Sequence, residues 1–214
     1  MSVPRTSRAL VLAVVALMLA MATGGWILGS ASPRSALPSE TSAEAGFARD
    51  MQTHHQQAVQ LSMIIRDHSS NPAVRSMAYD IALTQQQQAG QMHGWLETWG
   101  LSQTGESMAW MNEPVTEDAT HTGGTKTTPD HAHTMASMGM SSSEDIDKLT
   151  ASRGAEADRL FLRLMINHHQ GGIQMADAYL QRGGNPMVSA FAKKTVMTQQ
   201  AEISAQTQLL AELS

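Results

Sequence analysis

Apolar residues recur at helical spacing in four long segments of this chain, and no segment alternates at the period of a strand. The first segment places Phe47, Met51, Ala58 and Ile65 on one stripe, with Glu44, His54, His55 and Ser62 in the same arc. The second places Met77, Ile81, Met92, Trp95 and Trp99 on a stripe that Gln85 and Gln88 interrupt. Asn71-Pro72 separates these two segments, with proline at a first helical position. The pattern predicts helices over about 42–68, 72–99, 155–182 and 186–213, with Gly183-Gly184-Asn185-Pro186 as the second breaker. Four amphipathic helices bury their stripes as an all-α four-helix bundle.

The third and fourth segments repeat the first and second. Residues 47–100 align with 161–214 without a gap, at an offset of 114. Phe47, Arg49, Met51, His54, His55, Gln56, Asn71, Pro72, Thr84, Gln85 and Gln86 all recur. A gapless repeat means one helical hairpin built twice. Hairpin 1 is expected over 42–100, a long Met- and His-rich crossover over 101–143, and hairpin 2 over 144–214. Ser141-Ser142-Ser143-Glu144 marks the start of a short helix through Leu149.

Ahead of the repeats, Arg5 and Arg8 precede an apolar run from Ala9 to Met21 that continues weakly through Leu28. Residues 1–31 read as a secretory signal or an uncleaved membrane anchor, and 32–41 as a Ser/Pro/Ala tether. Both readings put the rest of the chain outside the cytoplasm, either free or tethered to the membrane through this segment.

Composition narrows the chemistry. The 214 residues include no Cys, 16 Met and 9 His, and the formal charge is −5. Thiolate metal sites and thiol nucleophiles are therefore excluded, and nucleic acid is an improbable partner for an acidic chain without a basic patch. No nucleophile elbow, H-E-x-x-H or phosphate loop is present. About half of the histidines lie in the two doublets, His54-His55 and His168-His169.

Each doublet follows a methionine by three and four residues, so Met51 can act with His54 or His55, and Met165 with His168 or His169. Imidazole suits copper, zinc, nickel and iron, whereas a thioether favours Cu(I). A di-iron carboxylate bundle would carry Glu-x-x-His where this chain has Met-x-x-His. The donor types favour copper over oxygen-activating iron, with other transition metals as alternatives. Gln85 and Gln88 fall level with the first doublet in an antiparallel hairpin, and Gln199 and Glu202 with the second. These four are expected to stand behind the imidazoles and orient them. In the crossover, His131, His133, Met135, Met138 and Met140 form a cluster of auxiliary donors on flexible backbone.

The doubled pattern of an acidic residue, Phe, Met-x-x-His-His-Gln, then Asn-Pro and Thr-Gln-Gln resembles the DUF305 family, also described as CopM-like. The resemblance covers about 42–214. It implies a secreted or periplasmic four-helix protein with a ferritin-like fold, and in one branch copper binding and resistance. Carried over by position, it implies Met51, His54, His55, Met165, His168, His169 and Met175 as ligands. Leu61 stands where the second copy has Met175, Gln88 where it has Glu202, and Gln206 where the first copy has Met92. The half-sites should therefore differ, the second being the better donor set. The expectation is a non-catalytic copper-binding protein. A ferritin-like oxidoreductase and a metal-free structural module of the envelope are the alternatives.

Overall fold

Four long helices carry the architecture in a computed structural model that describes residues 37–112 and 134–213. α1 spans Ala43–His68, α2 Pro72–Trp99, and a one-turn α3 Ala109–Asn112. A 3₁₀ turn follows at Ala136–Met138. Then come α4 (Ser143–Ala151), α5 (Gly154–Arg182) and α6 (Pro186–Glu212). No strand occurs among the described residues. The N-terminal apolar run, and His131 and His133, lie outside them. Among the described residues no helix is long and apolar enough to cross a membrane.

The helix boundaries follow local chemistry. Asn71 and Asn185 cap α2 and α6, their side chains accepting from the amides of Ala73 and Val74, and of Met187 and Val188. Proline occupies the first turn of each, where a missing N–H costs nothing. Gly100 ends α2 with φ 69°, the left-handed position that favours glycine. Ser142 and Asp145 form a reciprocal capping box at α4.

Within the unit Pro38–Ser214, the most extensive pairings are α1 with α2 and α5 with α6, and the two hairpins meet chiefly through α1 and α5. The histidine helices are thus the central pair. Apolar side chains divide into two clusters. One joins the start of α1 (Phe47, Met51) to the end of α2 (Met92, Leu96), the end of α5 (Met175, Tyr179) and the start of α6 (Val188, Phe191). The other joins the end of α1 (Leu61, Ile65) to the starts of α2 (Val74, Ile81) and α5 (Phe161, Met165), with Leu149 of α4 and Leu209 of α6. α1 and α5 therefore run antiparallel, and the doublets fall between the two clusters.

The crossover departs from expectation at both of its ends. Instead of flexible spacer, residues 101–112 form a strap over the start of α1. The Arg49 guanidinium donates to the carbonyls of Ser102 and Glu40, both at 2.8 Å, and pairs with the Glu40 carboxylate. Asp50 accepts from the Met108 amide at 2.9 Å and the Trp110 indole at 2.8 Å. Trp110 packs edge-on to Phe47, and a Cβ at Gly46 would fall 2.3 Å from its ring. Residues 134–141 form a second strap across α1 and α5. Met138 is therefore a core residue, 2% exposed, while Met135 and Met140 are half-buried.

Candidate metal centre

All four doublet histidines, with Met51, Met165 and Met175, are completely buried. Adjacent residues on a helix point about 100° apart, so burying both members of a doublet requires partners on two sides. α1 and α5 face each other through His54 and His168, whose rings stack with centroids 3.6 Å apart and planes at 28°. His55 and His169 turn away from that seam, toward α2 and α6 respectively, with centroids 6.4 and 6.2 Å from their neighbours in sequence.

Three of the rings are held in the same manner. His54 Nε2 donates to the Met138 carbonyl at 3.0 Å, and His55 Nε2 to Gln88 Oε1 at 2.8 Å. His169 Nε2 lies 2.6 Å from the Glu202 carboxylate. A carbonyl, an amide oxygen and a carboxylate can only accept, which assigns the proton to Nε2 in each ring. In the neutral ring the lone pair then sits on Nδ1. In all three, Nδ1 is buried and has no hydrogen-bond partner among the described residues. His168 differs, since neither nitrogen makes a hydrogen bond among the described residues. Its polar contact with the His54 backbone falls short of hydrogen-bond geometry.

Burial keeps His54, His55 and His168 neutral. Desolvation pushes His54 and His55 down to about 3. The Met138 and Gln88 hydrogen bonds oppose that shift, and neighbouring imidazoles add to it. His168 lies well below the usual histidine value, first through burial and then through the other three rings. A neutral imidazole with a bare, buried nitrogen is the form that ligates a metal, and a carbonyl or carboxylate on its far nitrogen is the usual orienting contact.

Of the four residues expected to orient the imidazoles, Gln88 and Glu202 do so. Gln85 and Gln199 are buried within the layer, but their amides bond to nothing among the described residues. The tip of Gln199 fills the space beside Gly172, where a Cβ would fall 2.4 Å from its Oε1. Gln206 is likewise buried without a partner. Glu44 stands away from the layer, accepting from the amides of Gly184 and Asn185 at 2.9 and 3.1 Å.

One expectation changes. Met175 does not join Met165. Ten residues separate them, about 15 Å along a helix, and the antiparallel packing puts Met175 with Met51 and Met92. The thioether-rich side therefore draws on both hairpins, whereas Met165 has Leu61 and Gln206 as the counterparts of Met175 and Met92. The four rings do not surround one point, a matter the sequence leaves open. Among the described residues no three His, Asp or Glu donors converge in metal-binding geometry.

The Met138 carbonyl was not foreseeable as the partner of His54. One signal was present in the sequence, at Gly171, where the first copy has Gln57. A Cβ at Gly171 would fall 1.6 Å from the Met138 carbonyl oxygen, so glycine there admits the strap. Gln57 grips the strap from the other side. Its amide donates to the Ser141 carbonyl at 2.9 Å and accepts from the Ser141 amide at 2.7 Å.

The family model for DUF305, a domain of unknown function, matches residues 44–210. The chain belongs to the DUF305 family. Solved structures agree with this assignment. A DUF305 protein from Streptomyces coelicolor, named as secreted, is 37% identical and superposes with a TM-score of 0.70 over 82% of this chain and 96% of its own. A DUF305 fragment from Deinococcus radiodurans is 33% identical, with a TM-score of 0.63 over 82% and 99%. CopM in its Cu(II)-bound form shares the fold at 23% identity, with a TM-score of 0.57 over 81% and 98%. No protein with a curated description matches the sequence. The doublet layer is thus carried on a DUF305 four-helix bundle.

Proposed function

We propose that this DUF305 protein is an extracytoplasmic copper-binding protein that holds copper, chiefly Cu(I), for sequestration or transfer and performs no turnover. The observation that carries this reading is the set of bare Nδ1 atoms on His54, His55 and His169, each ring anchored through Nε2, beside a His168 with no hydrogen bond at either nitrogen. An unsatisfied buried polar atom costs about 1–3 kcal/mol, and a bound cation would remove that cost. Met51 and Met165 lie one turn from the doublets and add soft donors. Cu(I) accepts two or three such ligands, so four converging imidazoles are not required. CopM, of the same fold, has been solved with Cu(II), Cu(I) and Ag bound, and the last two are soft d¹⁰ ions, which supports such a cation as the cargo. The N-terminal sequence and the Streptomyces relative, named as a secreted protein, support the location.

Competition with a chromogenic Cu(I) chelator tests the reading. The wild-type domain should take Cu(I) from the chelator, and the pair His168→Ala and His169→Ala should lose at least about tenfold in affinity, the scale of one lost ligand or orienting partner. Equal affinity in both proteins would remove the layer as the site. Failure of the wild type to bind would favour a structural role for the layer, which the Gln88 and Glu202 hydrogen bonds already serve in part.

A further inference from the structure

A completely buried layer needs a route from solvent. A cleft of about 310 Å³ lies between the two straps and the outer face of α5. Met111 comes from the first strap and Met138 from the second, and both line the cleft. Asp177, Gln174 and Arg182 of α5 complete its wall. Asp177 and Gln174 are exposed, while Met111 and Met138 are only 4% and 2% exposed. The soft donors thus form the inner side and the hard donors the outer side.

The inner side adjoins the apolar cluster that borders the layer. Met111 and Met138 belong to the same apolar cluster as Met51, Met92 and Met175. The Met138 carbonyl is itself the group that His54 holds. Gln174 follows His168 by six residues, which is about 9 Å along α5. Met175, beside it, is fully buried in that shared cluster. Asp177 and Arg182 place one charge of each sign on the cleft wall. Arg182 donates to the carbonyls of Ala178 at 3.2 Å and Met111 at 3.1 Å, fixing the strap.

We propose that this cleft is the loading site through which a soft monovalent cation reaches the buried histidines, with the Met111 and Met138 thioethers as its first donors. The inference rests on the reading of the layer as a copper site. Passage inward is ligand exchange: a metal–sulfur bond breaks as a metal–nitrogen bond forms. No electron is transferred and no proton must leave, because Nδ1 of a neutral ring already presents its lone pair.

Stopped-flow mixing with Ag(I), a redox-inert probe, tests this, with tryptophan fluorescence as the signal, since Trp110 and Trp95 lie in the same cluster. In the pair Met111→Leu and Met138→Leu, the volume and the main-chain carbonyl are retained while the sulfur is lost, so the fold should persist. Loading and release should both slow by about tenfold, with the final affinity nearly unchanged, because a shared path enters both rates. Asp177→Asn, at an exposed position, should slow loading by about threefold through loss of attraction at the mouth. If the wild type binds Ag(I) and both variants load at its rate, the cleft is not the route and the buried site stands. If rate and affinity fall in equal measure, the thioethers belong to the resting site, which also overturns the loading role. A wild type that takes up no Ag(I) removes the buried site itself.

Discussion

His54 and His168 are the same residue at the same place in a repeat, fully buried and stacked on each other, yet among the described residues only the His54 ring has a hydrogen-bond partner. The difference comes from the crossover, which supplies one carbonyl and has no second copy to supply another. Shared chemistry nonetheless sets how these rings respond to pH. Free histidines titrate near about 6.5, whereas burial holds His54 and His55 near 3 and His168 well below its usual value. Between about 3 and 6.5 the unfolded chain binds more protons than the folded one, so stability is complete above about 6.5 and declines as the pH falls through that window. Each ring removes at most about 1.4 kcal/mol per pH unit. Urea unfolding at pH 7.5, 6 and 5 should show falling midpoints. Midpoints independent of pH would mean that the rings are solvated.

At the scale of elements, the long helices were legible because 3.6-residue periodicity, Asn-Pro caps and the repeat all state the same thing. The straps were not. Residues 101–112 and 134–141 have little apolar periodicity, and what fixes them is side-chain bonding to their backbone by Arg49, Asp50, His54 and Gln57. Such bonds join residues as much as 84 positions apart, and no local pattern records them. Two glycines separate strap packing from helix propensity. Gly171→Ala should destabilise the protein by about 1–3 kcal/mol, because the new methyl collides with the Met138 carbonyl oxygen. It should also speed proteolysis within 134–141. Gly90→Ala, with open space at its Cβ, should instead gain about 0.5–1 kcal/mol. Denaturant titration of both variants checks the contrast, and a stabilised Gly171→Ala would show that the strap does not rest on α5.

For the whole molecule, the antiparallel meeting of α1 and α5 places the histidine layer between two apolar clusters, where a bound ion would tie both hairpins together. A ligand that binds only the folded state adds stability by mass action, about 2.7 kcal/mol at a hundredfold excess over Kd. Thermal unfolding with Cu(I) under reductant should therefore move upward with metal concentration and return on chelation. A melting temperature indifferent to Cu(I) would contradict a site that bridges the hairpins. By itself, the sequence determined four helices in two equal hairpins, the burial of both doublets, and the donor chemistry, because periodicity, repeats and side-chain type are local properties of the chain. Tertiary structure alone decided that Met175 serves the first doublet's side, that the rings do not share one centre, and that a single carbonyl makes equal histidines unequal. Those outcomes depend on which helices run antiparallel and where an unrepeated crossover comes to rest, and a repeat of identical residues is silent on both.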